Sequence, residues 1–116
     1  MNDWDESLPI YVQLRSAVLQ RILNRSLAEG DPVPSVRQVA ADEKINPITV
    51  SKAYQMLVDE GLLEKRRGLG MYVLPGARDK ALAQERETFL KEEWPRIQTR
   101  IKSLGLAVED LLGETS

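Results

Sequence analysis

Residues 34–73 read PSVRQVAADEKINPITVSKAYQMLVDEGLLEKRRGLGMYV, and the fold turns on how this stretch starts and stops its helices. In Pro34-Ser35-Val36-Arg37-Gln38 the serine hydroxyl is placed to accept a free backbone N–H. Gln38, three residues on, is placed to reach back, which makes a capping box. Val36, Val39 and Ala40 share one face, so a short helix ending near Lys44 is predicted. Asn46-Pro47 signals a second start, because asparagine is a favoured N-cap and proline at the first helical position needs no N–H. Val50, Ala53, Tyr54 and Leu57 form its buried stripe and leave Ile48, Thr49, Ser51, Lys52 and Gln55 facing outward. Gly61 stops this helix. Leu62 to Arg66 and Met71 to Leu74 then read as two short strands around Arg67-Gly68-Leu69-Gly70.

Two capped helices joined by a tight turn and followed by a basic hairpin define a winged helix-turn-helix. The outer face of the second helix is small, polar and singly basic, which suits a major groove where hydroxyl, amide and basic groups meet phosphates and base edges. An ordinary solvated helix face has the same composition. The hairpin shifts the balance: Lys65, Arg66 and Arg67 stand beside Gly68 and Gly70, so a closely approaching backbone carries charges that neutralise phosphates. The leading reading is therefore a DNA-binding regulator. The alternative is a winged-helix module for protein interaction, with the hairpin a solvated surface feature. The first reading requires Arg37, Lys52, Arg66 and Arg67 to converge on one face, whereas the second lets them scatter.

Four blocks in this order, LPIYVQL (8–14), EGDPVPSVRQVA (29–40), INPITVSKAY (45–54) and DEGLLEKRRGLGMYV (59–73), resemble the GntR family of bacterial transcription regulators. Within it they resemble the short YtrA-like branch, and the likeness runs from residue 8 to residue 73, more than half of the chain. The resemblance implies a homodimer that binds a palindromic operator in double-stranded DNA through its second and third helices and its wing, with repression the expected mode. It also implies that Arg37 contacts DNA from the second helix, that the Thr49 hydroxyl meets phosphate, and that Lys52 is a basic contact. Gly68 and Gly70 match the wing glycines. Two positions depart from the wider family. Pro47 stands where many members carry an arginine that reads guanine, and Met71 stands where a threonine is common. The candidate DNA-contacting set is Ser35, Arg37, Asn46, Pro47, Ile48, Thr49, Ser51, Lys52, Lys65, Arg66, Arg67, Gly68 and Gly70.

The composition bounds the chemistry. A chain of 116 residues, 42% hydrophobic and 29% charged, suits one modest core plus an appendage. It contains no cysteine and no histidine, which excludes disulfides, thiolate metal sites and Cys- or His-based catalysis, so neither an enzyme nor a cofactor is expected. The acidic pairs Glu92-Glu93 and Asp42-Glu43 lack a nucleophile or ligand partner and read as solvated faces. With no signal peptide and no membrane-spanning run, a cytoplasmic location away from any membrane is expected. The formal charge of −2 hides an uneven distribution. Residues 1–6 carry three acids and no bases, residues 7–75 nine bases and seven acids, and residues 76–116 seven bases and eight acids. Only the reading segment is net basic.

The flanks complete the plan. Met1 to Glu6 reads as a loosely held acidic arm, with Trp4 its one large apolar group. From Ser7, as a serine cap, with Pro9 in the first turn, a helix to about Arg25 is signalled by Ile10, Leu14, Ala17, Val18 and Ile22, with Tyr11 and Leu19 flanking that stripe and expected to pack against the two reading helices. Val33 is expected to form a very short strand against the wing. The expected division places the reader in residues 1–75 and a helical dimerisation appendage in residues 76–116. A charged helix from Ala77 to Ser103 is predicted, kinked or interrupted at Pro95, followed by a short helix over about Ala107 to Leu112. Leu82, Phe89, Leu90, Trp94, Ile97, Ile101, Leu104, Val108, Leu111 and Leu112 give a discontinuous apolar stripe that two helices alone cannot enclose, so a second copy of the chain is the expected cover, the alternative being that these helices fold back on their own reader domain. About forty residues after the reader are too few for a conventional effector pocket.

Overall fold

The computed structural model describes residues 4–113. Its elements are α1 (Ile10–Leu23), α2 (Val36–Glu43), α3 (Pro47–Asp59), β1 (Leu63–Arg66), β2 (Gly70–Val73), α4 (Ala77–Thr88), α5 (Trp94–Ser103) and α6 (Val108–Gly113). This is a mainly helical α+β chain whose one sheet, among the described residues, is the β1–β2 hairpin, as a winged helix-turn-helix requires.

The reading helices start and stop as their capping chemistry dictates. Ser35 Oγ accepts the Gln38 N–H at 3.0 Å, the forward half of the capping box, while the Gln38 side chain makes no return bond. Lys44 takes the left-handed conformation (φ 55°) that ends α2, and Ile45 turns into the core. Asn46 Oδ1 accepts the Ile48 N–H at 2.9 Å, and Pro47 occupies the first turn of α3. At the far end Gly61 (φ 77°) closes α3: its N–H donates to the Val58 carbonyl and the Leu62 N–H to that of Leu57. That pair of bonds satisfies the last carbonyls of the helix, and a left-handed residue there favours glycine.

Packing fills the space between α1, α3 and the hairpin. Val50, Ala53, Tyr54 and Leu57 are all buried on α3, the stripe that its spacing predicts. On α1 the buried set is Leu14, Val18, Leu19 and Ile22; Ile10 and Ala17, expected to be inward, are exposed. The helix is rotated so that Leu19, not Ala17, flanks the buried line, because the larger side chain removes more apolar surface from water. A bidentate Arg15–Glu60 ion pair ties α1 to the end of α3.

The start of the chain departs from expectation in two respects. Pro9, not Ser7, stands at the N-cap of α1, with no side-chain bond capping the helix, while Ser7 lies two residues earlier with its hydroxyl donating to Asp5 Oδ1 at 2.6 Å. Residues 4–6 are also not loose: Trp4 packs against the core, and the Gln13 amide clasps both the N–H and the carbonyl of Asp5. Residues 1–3 of the expected arm lie outside the described residues.

Hairpin register pairs Leu63 with Val73, Glu64 with Tyr72, Lys65 with Met71 and Arg66 with Gly70. The short third strand expected at Val33 forms as a single bridge one residue earlier, Pro32 to Tyr72, with the Val33 N–H donating to the Met71 carbonyl at 2.9 Å. Proline supplies no ladder donor, which limits this strand to one bridge.

By packing, the chain divides into two compact units, Met1–Leu82 and Ala83–Ser116. The turn at Pro75-Gly76 begins α4, but its first residues belong to the first unit. Ala77 and Ala81, one helical turn apart, are fully buried; Arg78 Nε donates to the Leu23 carbonyl and the Gly76 N–H to Glu29 Oε1. In the second unit the interruption expected at Pro95 takes the form of a π-helical turn, Phe89–Glu93, immediately before α5. The Trp94 N–H reaches the Phe89 carbonyl, five residues back, and this wider turn accommodates the ring and missing donor of Pro95 while the backbone stays helical. Gly105 (φ 70°) closes α5, and α6 follows.

None of the described residues in 83–113 is buried. Phe89 and Trp94 stack with centroids 6.3 Å apart, yet Leu90, Ile97, Leu104, Leu111 and Leu112 remain exposed. Ile101, Val108 and Leu82, the last residue of the first unit, are half-buried.

Candidate nucleic-acid interface

Three elements of the first unit open onto one groove of about 330 Å³. The start of α2 contributes Ser35 and Val36, α3 contributes Ser51 and Gln55, and the hairpin contributes Lys65, Leu69, Gly70 and Met71. Tyr54 forms its floor. Its ring is 1% exposed, and its hydroxyl donates to the Pro34 carbonyl at 2.6 Å, which fastens the entry of α2 to the middle of α3. Burial pushes the Tyr54 phenol up to about 12, and the nearby Arg21 charge offsets this only in part.

The candidate contacts sort by element. Asn46, Pro47, Ile48, Ser51 and Lys52 are exposed along the outer face of α3, and Thr49 is half-buried beside them. Lys52 does not project freely: its ammonium lies over the Tyr11 ring, 4.0 Å from the centroid, toward α1. Arg37 is exposed in the first turn of α2.

The hairpin separates its three cations. Side chains alternate across a strand, so Leu63, Lys65, Met71 and Val73 share one face and Glu64, Arg66 and Tyr72 the other. Lys65 therefore faces the groove, whereas Arg66 stacks over Tyr72 at 4.2 Å and pairs with Glu64 at 3.5 Å. Arg67 and Gly68 form the exposed tip, with Gly68 (φ 76°) and Gly70 (φ 105°) holding conformations that side chains resist.

Gln55 and Leu69 line or border the groove but fall outside the candidate set drawn from sequence. The signal for Gln55 was present, since it lies one turn beyond Ser51 on the outward face of α3. Tyr11 reaches the site through Lys52, a pairing made only by the packing of α1 on α3.

A capped recognition helix, a supporting helix and a basic hairpin around one groove define the class as a winged helix-turn-helix DNA-binding regulator. The model of the bacterial regulatory proteins of the gntR family matches residues 10–73, more than half of the chain, and the protein belongs to that family. It is a transcription regulator with a DNA-binding domain, not an enzyme. Over 105 residues it is 35% identical to the HTH-type transcriptional repressor YtrA of Bacillus subtilis, covering 90% of this chain and 80% of that protein. It is 32% identical to the HTH-type transcriptional regulator YhcF of the same organism, covering 96% and 90%. A GntR family transcriptional regulator from Listeria monocytogenes has the same fold, with a TM-score of 0.78 at 25% identity over 95% of each chain. Among the described residues no helix is long and apolar enough to cross a membrane.

Proposed function

We propose that the protein is a sequence-specific repressor that binds an inverted-repeat operator as a homodimer, acting in the cytoplasm where the chromosome lies. The observation that carries this reading is the single groove shared by the start of α2, the outer face of α3 and the hairpin. In this reading α3 enters the major groove, with Arg37, Ser51 and the start of α3 toward base edges. Ser35, Thr49, Lys52, Lys65, Arg67 and the glycine-flanked tip meet the backbone. Repression follows from the likeness to YtrA, a transcriptional repressor 35% identical over 105 residues.

The second unit supports the dimer. Its helices carry exposed large apolar residues, among them Leu90, Ile97 and Leu112, and apolar side chains that a single chain leaves in water favour burial against a second copy. A two-fold axis through such an interface presents two identical reading heads, so the operator repeats in inverted order.

The test combines sedimentation of the full chain and of Ile97→Asp with titration of a palindromic duplex, selected from random DNA, and of its single half-site. Ile97 is exposed in the single chain, so the substitution spares its fold while burying an unpaired charge in a dimer. The wild type should sediment as a dimer and bind the palindrome roughly 100-fold more tightly than the half-site. The variant should be monomeric and lose that advantage. A monomeric wild type, or a variant with full operator affinity, would remove the dimer from the proposal; failure to bind any duplex would favour a protein-interaction module.

A further inference from the structure

Among the described residues Ile48 is the most exposed of the large apolar side chains, at 75%, and it stands second in the recognition helix. It is not at a frayed end. Its N–H is held by Asn46 Oδ1, and Pro47 presets the backbone before it. A β-branched side chain has few rotamers, so Ile48 presents a stiff apolar knob to the outside.

The long polar side chains of α3 near it are already engaged. Lys52 lies over Tyr11, Gln55 Nε2 donates to Asp59 Oδ1 at 2.8 Å, Asn46 Oδ1 is committed to the cap, and Thr49 is half-buried. Bidentate reading of guanine or adenine needs a free Arg, Lys, Asn or Gln. The leading end of α3 instead offers Pro47, Ile48 and the short Ser51. In the major groove the base-edge group that an apolar side chain meets favourably is the thymine 5-methyl. Set against the cytosine amino group, the same side chain would strip a donor of water without replacing the bond.

We propose that Ile48, backed by Pro47, reads the 5-methyl group of a thymine, so that each half-site carries an A·T pair opposite the start of α3. This rests on the DNA-binding reading above and adds what that reading leaves open, the chemistry by which the start of α3 selects a base. Lys52, drawn toward α1 by Tyr11, serves as a phosphate contact in this arrangement.

The experiment begins with duplexes selected from random DNA by the full-length wild type. Each thymine of the selected half-site is then replaced singly by deoxyuridine, which removes the methyl group and leaves the pairing edge intact. One position should lose about fourfold in affinity, the contribution of one buried methyl group. Ile48→Val should show the same loss, and Ile48→Ala should show little or none. Repeating the selection with Ile48→Ala should relax base preference at that position alone. Ile48 is solvated in the free chain, so its truncation leaves the core untouched. A selected motif in which no deoxyuridine substitution separates wild type from Ile48→Ala would overturn this inference and leave the DNA-binding reading intact. Absence of any selected motif would overturn both.

Discussion

Replacing Tyr54 by phenylalanine tests how the reading helices are fastened together, because the two proteins should exchange their order of stability as pH rises. The ring is 1% exposed, and its hydroxyl donates to the Pro34 carbonyl at 2.6 Å. Near neutral pH the variant keeps the packing but loses this bond, at a cost of about 1 kcal/mol. The phenol sits at about 12 in the folded chain, above the ordinary value of 10.0 that the unfolded chain adopts. A raised folded value means that folding favours the protonated form, so this contribution is fully present below pH 10 and is lost as pH climbs through 12. Two pH units correspond to about 2.7 kcal/mol at the alkaline limit. The wild type should thus lose its advantage at about pH 11, and above that the phenylalanine variant should be the more stable. Urea denaturation of both proteins from pH 8 to pH 12 provides the measurement. Tyr11, Tyr72 and the lysines are common to both and cancel in the difference. A stability difference that stays constant across this range would refute the assignment of a buried, bonded phenol.

The split of the hairpin cations predicts unequal effects. Lys65→Ala and Arg67→Ala should each flatten the log-log salt dependence of DNA binding by roughly 0.9, whereas Arg66→Ala, whose charge is already matched by Glu64 and Tyr72, should change it less; equal slopes for all three would contradict the hairpin geometry. Asn46→Ala should destabilise the fold by about 1 kcal/mol through loss of the α3 cap, and Asn46→Asp should restore most of it; thermal unfolding that ranks the two variants alike would show that the cap contributes nothing.

The features legible in the sequence were those fixed by residues close together along the chain. Ser35, Asn46-Pro47 and Gly61 act on backbone groups within a few positions of themselves, so the limits of α2 and α3 could be read directly. The stripe Val50, Ala53, Tyr54, Leu57 follows from helical periodicity, and the hairpin from its glycines and strand-forming flanks. The family likeness lies in these same blocks, and so do most of the candidate contacts.

Tertiary packing decided the rest. That Ile10 and Ala17 ended in solvent while Leu19 packed as expected depended on the rotation of α1 against α3, which periodicity leaves open by a residue on either side. Ser7 falls two residues before the N-cap at Pro9, and its hydroxyl turns back to donate to Asp5 Oδ1, so where the helix begins was settled by how the segment before it folds. Alternation placed Lys65 and Arg66 on opposite faces of the hairpin, but only the docking of Leu63 and Val73 into the core determined which cation faced the groove. Tyr11 met Lys52, and Arg78 met Leu23, across long stretches of chain, through packing that brings distant segments together. Capping and periodicity act within a turn or two of helix and are written in adjacent residues. Side-chain direction at the groove is set by how whole elements settle against a shared core, and that energy belongs to no single stretch of sequence.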